Sequence, residues 1–358
     1  MTHLNIQINK SKYPLFIGVD NLHKIGELFH LYKFGSRVAL IIDSNLKGNY
    51  TKRLVDSFLK NKISVSEIFI SGGERNKNLN TIHQICRSIN EQDIELPETI
   101  LAFGGGVTAD IAGFVANIFN DEIKYVQIPS SLIAQIESSI SESAFLNVES
   151  KTNIISIPYK LHLVWCDIGL LRTLPTRELF SGLAYILRYS IVGNTDFFDF
   201  LEQHFDEIED MDLDVLEEVV RRCCEVKMSL LNSRADSLIF QGLKFGTLIA
   251  TALEEATNFS LFTPGEALIR GMLVESLSAL RAGIFNNSDF EKFFNLLSRI
   301  KMALKVPEID KKSLENRIKF KLKTQKLVLP FRIGEFSITK QFDENILFDS
   351  LKILKIKD

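Results

Sequence analysis

The chain has 358 residues, 46% hydrophobic and 24% charged. That is enough apolar surface to offset the entropy of folding, and enough length to favour two hydrophobic cores over one. A formal net charge of -3 offers no broad cationic field to a phosphate backbone or an anionic bilayer, which excludes nucleic acid and membrane as first partners.

Strand and helix signals alternate through the first half, as in a parallel sheet with crossover helices. The opening MTHLNIQINKSKYPLFIG has no charged segment leading into an apolar signal core. Its β-prone runs, Leu4 to Ile8 and Tyr13 to Ile17, flank a polar NKSK and predict a hairpin. SRVALIID predicts a buried strand over Val38 to Ile42 that ends in Asp43, Ser44 and Asn45. NYTKRLVDSFLKNK then reads as a helix, VSEIFISGGE as a strand and NLNTIHQICRSINEQ as an amphipathic helix. TILAFGGGVTADIAGFVANIF passes from strand through three glycines into a helix beginning near Thr108 and Asp110, and YVQIP, Tyr125 to Pro129, closes the pattern. From about Pro175 the period is helical, until QKLVLPFRIGEFSIT predicts a small hairpin around Gly334. The expected fold class is α/β plus all-α, with domains over 1–172 and 173–358 divided on the change of period alone. Cys86, Cys166, Cys223 and Cys224 form no CxxC pair, and an ordinary disulfide between the adjacent two would be strained, which points to a reducing, cytoplasmic setting.

Gly104-Gly105-Gly106-Val107 stands between an apolar strand and a helix. Glycines there let backbone N–H groups approach a phosphate, and the helix N-terminus adds favourable partial charge. A tight strand-to-helix turn needs glycine for steric reasons as well, and both readings stay open. Asp43, Glu74 and Lys77 sit where a doubly wound sheet gathers ligands, although each acidic residue alone fits an N-cap or a solvated turn equally well.

The blocks GGE-RNK, GGGVTADIAGF, VQIPSSLIAQIESS, LRTLPTRELFSG and PGEALIRGM, in this order and spacing over nearly the whole chain, make the sequence similar to 3-dehydroquinate synthase and its sugar-phosphate cyclase relatives. The resemblance implies the dehydroquinate synthase-like fold: a Rossmann-like NAD-binding domain, a helical metal- and substrate-type domain, a cleft between them and a homodimer. It implies a shikimate-pathway lyase of aromatic amino acid biosynthesis, in which NAD oxidises a substrate alcohol, phosphate is eliminated and the ketone is reduced before ring closure. Zinc assists by stabilising the alkoxide. Carried onto this chain, the cofactor contacts fall on Asp43, Asn45, Glu74, Lys77, Gly105, Gly106, Val107, Asp110, Ser130, Ser131, Leu132, Thr173, Leu174 and Glu178. Ser130 and Ser131 stand for two threonines, and Ala109 for a glycine.

The departures are grouped by role. The family's zinc ligands, a glutamate and two histidines, fall on Tyr185, Thr247 and Pro264. A phenol, a hydroxyl and an imino acid are poor donors for zinc, so no zinc is expected. Among the substrate groups, a histidine becomes Thr251, a lysine Ser143, an arginine Asp121 and an asparagine Lys244, and Phe240 replaces a second arginine. Arg188 stands at a lysine, Lys227 matches another, Lys151 lies one position from a third (now Thr152) beside a retained Asn153, and Glu137 replaces an aspartate. His3, His23, His30, His83, His162 and His204 form no ligand pair.

The expected function is therefore that of a dehydroquinate-synthase-like pseudoenzyme, NAD-binding but without the zinc reaction, with a regulatory or subunit role and a small phosphorylated or polyol ligand. The alternative is an active enzyme, either a divergent 3-dehydroquinate synthase or a cyclase-type carbon–oxygen lyase or oxidoreductase that uses NAD without the usual metal site, its catalytic candidates being Tyr185 as replacement acid or base with Arg188, Lys227, Asn153 and Glu137. A scaffold without nucleotide is the third possibility.

Overall fold

The computed structural model describes residues 1–9, 11–91, 95–119, 122–149, 151–233, 238–301, 309–339 and 341–356. Asp121 and the 234–237 part of the segment leading to Phe240 lie outside them. The chain divides into two compact units, Met1–Leu174 with Met211–Cys224, and Pro175–Asp210 with Glu225–Asp358.

The first unit opens with the hairpin β1 (Thr2–Ile8) and β2 (Ser11–Gly18), which pair antiparallel. Then follow α1 (Ile25–Leu31), β3 (Arg37–Asp43), α2 (Asn49–Lys60), β4 (Ser64–Ile70), α3 (Leu79–Asn90), β5 (Thr99–Gly104), α4 (Gly106–Phe119) and β6 (Lys124–Pro129). After these come β7 (Ser143–Val148), β8 (Lys151–Pro158) and β9 (Leu163–Asp167). The sheet order is β1-β2-β9-β6-β5-β3-β4, parallel except at β1, while β7 and β8 form a separate antiparallel hairpin.

Two features differ from the expectation. The α/β pattern does not close at Pro129: β9, five buried residues, inserts between β2 and β6. The helix after the glycines begins at Gly106, two residues before Thr108, because the strand turns directly into α4 at Gly105.

Alternation along β3 explains how the sheet is covered. Val38, Leu40 and Ile42 join Phe29, Leu54, Phe58, Leu101 and Phe103 in one apolar cluster, where the Phe29 and Phe58 rings meet edge-on at 4.8 Å. Ala39 and Ile41, equally buried, point to the opposite face, as a period of two requires.

The second unit is mainly helical: α5 (Thr176–Gly193), α6 (Thr195–Gln203), α7 (Phe205–Glu209), the second half of α8 (Leu213–Asn232), α9 (Leu238–Gly242), α10 (Thr247–Ala256), α11 (Pro264–Arg281), α12 (Asn287–Arg299), α13 (Lys311–Thr324) and α14 (Glu344–Leu351). The expected hairpin, β10 (Leu327–Arg332) and β11 (Glu335–Thr339), lies between α13 and α14. Helix α11 is buried along most of its length and packs on α5, α10, α12 and α14. Two glycines set how near its neighbours come. A Cβ on Gly265 would fall 2.1 Å from the Ser181 carbonyl oxygen of α5, and one on Gly271 would fall 1.9 Å from the Gly246 carbonyl oxygen at the start of α10. No side chain fits at either place.

None of the four cysteines is joined in a disulfide, and Cys166, Cys223 and Cys224 are buried. Among the described residues no helix is long and apolar enough to cross a membrane.

Candidate functional site

From β3 the chain steps outward to β4 and then returns to pair β5 on the other side of β3. Strand order therefore reverses between β3 and β5, and a doubly wound sheet opens its ligand crevice outside the carboxyl ends of such a pair. Asp43 ends β3 and Gly104 ends β5. The Asp43 carboxylate accepts the Asn45 N–H at 3.0 Å and lies over the loop after β4, where a Cβ on Gly72 would stand 2.7 Å from its Oδ2.

The three glycines have separate reasons. None has a positive φ. A Cβ on Gly104 would press into Thr108 at 2.5 Å, so the tight turn explains that residue. A Cβ on Gly106 would meet only Ser138 Oγ, at 3.1 Å, and one on Gly105 would meet nothing closer than Ser131 Oγ at 3.6 Å. The turn alone does not require Gly105. Its bare backbone leads into the first turn of α4, whose N–H groups have no acceptors within the helix and carry the positive end of its dipole.

Beside this turn stands a polar network. The Lys77 ammonium, 6% exposed, lies 2.6 Å from Asp110 Oδ2, donates to Asn153 Oδ1 at 2.8 Å and stands 3.9 Å from Glu74 Oε1. Asp110 Oδ1 accepts the Phe145 N–H at 3.3 Å. Burial raises the Asp110 carboxyl above its ordinary range, and Lys77 opposes that shift. The fold thus joins Glu74, Lys77, Asp110 and Asn153 directly.

Of the remaining residues in the first unit, Ser130 donates its N–H to the Gly104 carbonyl at 2.9 Å, Ser131 Oγ accepts from the Ala134 N–H at 3.3 Å, and Leu132 is buried. Val107 is half-buried in the first turn of α4. Glu137 sits in a π-helical turn, Ala134–Ser138. Thr173 donates to the Leu170 carbonyl at 3.3 Å, and Leu174 follows it.

The second unit holds Glu178, Tyr185, Arg188 and Lys227. Burial raises the carboxyl of Glu178, with Arg177 opposing and Glu266 reinforcing the shift. Arg188, buried, stacks its guanidinium over the Tyr185 ring at 4.8 Å and the Tyr189 ring at 5.5 Å, and Lys227 is buried on α8. Thr247 and Thr251 donate their hydroxyls to carbonyls of their own chain segment, Lys244 at 2.6 Å and Thr247 at 2.8 Å. Pro264 is the exposed first residue of α11. A capping box between Thr263 and Glu266 closes that end, and Arg177 grips both Glu266 oxygens, at 2.8 and 2.6 Å. Among the described residues no cluster of three or more His, Cys, Asp or Glu side chains forms a metal cage.

Two family models match consecutive parts of the chain, 3-dehydroquinate synthase N-terminal over residues 67–181 and 3-dehydroquinate synthase C-terminal over residues 182–324. The chain belongs to the 3-dehydroquinate synthase family. The 3-dehydroquinate synthase of Thermodesulfovibrio yellowstonii is 30% identical over 94% of this chain and 96% of its own, and that of Thermoanaerobacter sp. strain X514 is 29% identical over 99% and 100%. Among solved structures, a 2-deoxy-scyllo-inosose synthase complexed with carbaglucose-6-phosphate, NAD+ and Co2+ superposes with a TM-score of 0.87 at 20% identity, covering 98% of this chain and all of that one. ValA, the 2-epi-5-epi-valiolone synthase of Streptomyces hygroscopicus with NAD+ and Zn2+ bound, gives 0.82 at 22% identity, with 98% of each chain covered. This family's fold, an α/β unit with a parallel sheet and a helical unit, is the one described above.

Sequence reading missed one residue of the network. Asn147 donates its side-chain amide to both the carbonyl and the carboxylate of Glu74 and receives the Asn153 N–H. The available signal was a polar residue ending the apolar run AFL, six positions before a second asparagine.

Proposed function

We infer that this member of the 3-dehydroquinate synthase family binds a nicotinamide dinucleotide on its first unit and lacks the family's zinc-assisted phosphate elimination. It serves as an NAD-binding subunit or regulator. One contrast carries this reading. Glu74, Lys77 and Asp110, expected to hold the nucleotide, are joined with Asn153 in one polar network, whereas the three positions expected for zinc ligands present no charged or imidazole donor.

NAD fits the residues present. Gly105 and Gly106 leave room along the start of α4 for a pyrophosphate, Asp43 offers a carboxylate to ribose hydroxyls, and the Lys77–Asp110–Asn153 group supplies both donors and acceptors. Bound there, NAD would supply a hydride acceptor. That the two structural neighbours hold NAD+ supports the assignment. Zinc does not fit. Proline has no donor group, the Thr247 hydroxyl is turned onto a carbonyl, and a neutral phenol beside the Arg188 cation is a weak ligand. The second ligand is a small phosphorylated or polyol molecule, and the assembly is a cytoplasmic homodimer.

Calorimetric titration with NAD tests the first half: saturable heat is expected, abolished in Gly106→Val with folding retained, and silence at millimolar NAD overturns it. Metal analysis after dialysis and a phosphate-release assay on the substrate of 3-dehydroquinate synthase test the second. One equivalent of zinc with steady turnover would remove that half.

A further inference from the structure

We propose that Asn147 is a positioning residue that latches the tip of the β7–β8 hairpin to the Glu74–Lys77 segment and so holds Lys77 and Asn153 in place for the nucleotide. This deepens the NAD reading and rests on it.

Four hydrogen bonds converge on Asn147. Its Nδ2 donates to the Glu74 carbonyl at 2.9 Å and to Glu74 Oε2 at 2.8 Å, its Oδ1 accepts the Asn153 N–H at 2.9 Å, and its own N–H donates to the Lys77 carbonyl at 2.8 Å. Both protons and the oxygen of the amide face defined groups, a set that neither a carboxylate nor a hydroxyl can reproduce.

The location makes the latch consequential. Between the pairs Leu146–Ile155 and Val148–Lys151 the hairpin loses register, so that Asn147 stands opposite three residues of β8. Within that excess Asn153 takes a left-handed φ of 55°, a conformation asparagine tolerates better than most residues with a side chain. Asn147 fixes it there by accepting the Asn153 N–H. The same side chain secures the short turn Glu74–Asn76 that delivers Lys77. With the hairpin held, Asn153 Oδ1 meets the Lys77 ammonium, and through it Asp110. One amide therefore sets the geometry of Glu74, Lys77 and Asp110, all three expected at the cofactor, and of Asn153 beside them, although the expected contact set does not include it.

The test uses the full-length protein. Asn147→Ala is expected to weaken NAD binding by about tenfold or more, a coupling of ordinary size for neighbours in one network. Asn147→Asp keeps the acceptor for Asn153 but sets a second carboxylate against Glu74. Two carboxylates so close do not both ionise readily, so lowering the pH from 8 to 5 lets one hold a proton that restores the donor. The deficit of this variant relative to the unaltered protein should then shrink as the pH falls, which a merely structural defect would not produce. Binding by Asn147→Ala within about twofold of the unaltered protein, or a pH-independent deficit in Asn147→Asp, overturns the latch. If the unaltered protein binds no NAD, the cofactor reading fails instead, and hydrogen exchange decides the latch alone. Amides of residues 74–77 and 151–153 should exchange faster in Asn147→Ala, and unchanged rates overturn it.

Discussion

The Lys77 ammonium lies 2.6 Å from the Asp110 carboxylate, and the two side chains keep only 6% and 20% of their surface exposed. Lys77→Met keeps the stem and removes the charge. Because Asp110 retains some solvent, the expected loss is about 2 kcal/mol, below the roughly 3–5 kcal/mol of a fully enclosed pair. Burial already raises the Asp110 carboxyl, and without Lys77 it rises further. A carboxyl raised in the fold contributes stability while protonated and loses it as pH climbs through the folded value, so the variant's deficit should be largest at neutral pH and shrink toward acid. Adding Asp110→Asn removes the stranded charge and should recover most of the loss. Denaturant melts at pH 4.5 and 7.5 check this, and a deficit independent of pH would contradict it.

What could be read from the residues alone was the sheet and the turn at its switch point, since SRVALIID and TILAFGGG are long apolar runs closed by polar residues or glycine. The strand β9 was not legible. LVWCD is only five residues long, and its place between β2 and β6 depends on partners far away in sequence. The Lys77 network was half visible, as individual residues without their joins, because Asn147 reaches Glu74 across 73 positions and local pattern says nothing about such a pair.

The metal positions lead to a gain-of-binding prediction. Tyr185 lies one helical turn after Ser181, Thr247 follows Gly246 and Pro264 precedes Gly265, so each adjoins one of the two glycine contacts that bring α5, α10 and α11 together. Combining Tyr185→Glu, Thr247→His and Pro264→His restores a carboxylate and two imidazoles. The helices should tolerate this, because the capping box at Thr263 is untouched and loss of proline at a first helical position costs less than about 1 kcal/mol. After dialysis against zinc the triple variant is expected to retain one equivalent and the unaltered protein none. A folded triple variant that retains no zinc would overturn this prediction.

The same contacts predict a severe packing defect. Gly271→Ala puts a Cβ 1.9 Å from the Gly246 carbonyl oxygen and 3.0 Å from the Ala250 nitrogen, both backbone atoms that no rotamer change can move. Helices α10 and α11 must separate, at a cost of about 3 kcal/mol or more. Gly283→Ala, where no atom lies within 4 Å, is the control for loss of a glycine: its φ of 68° adds only local backbone strain, about 1 kcal/mol. Thermal melts should rank Gly271→Ala well below Gly283→Ala, and equal melting temperatures would refute the close approach.

Glu275, fully buried on α11, turns its carboxyl to the start of α10, accepting the Gly246 N–H at 2.7 Å and the Ile249 N–H at 3.4 Å. Burial pushes its pKa to about 8, the backbone donors opposing but not cancelling that rise. The folded value is raised, so the contribution to stability is complete below the unfolded value of about 4.3 and is lost as pH climbs toward 8, at up to about 1.4 kcal/mol per pH unit. Glu275→Gln keeps an oxygen acceptor for Gly246 and cannot ionise. It should be less stable than, or equal to, the unaltered protein at pH 5 and at least as stable at pH 8, so that the two stability curves converge or cross inside that window. Urea melts at pH 5, 6.5 and 8 provide the measurement. Parallel curves would mean that Glu275 already carries its charge in the fold, held by the amino end of α10 against the cost of burial.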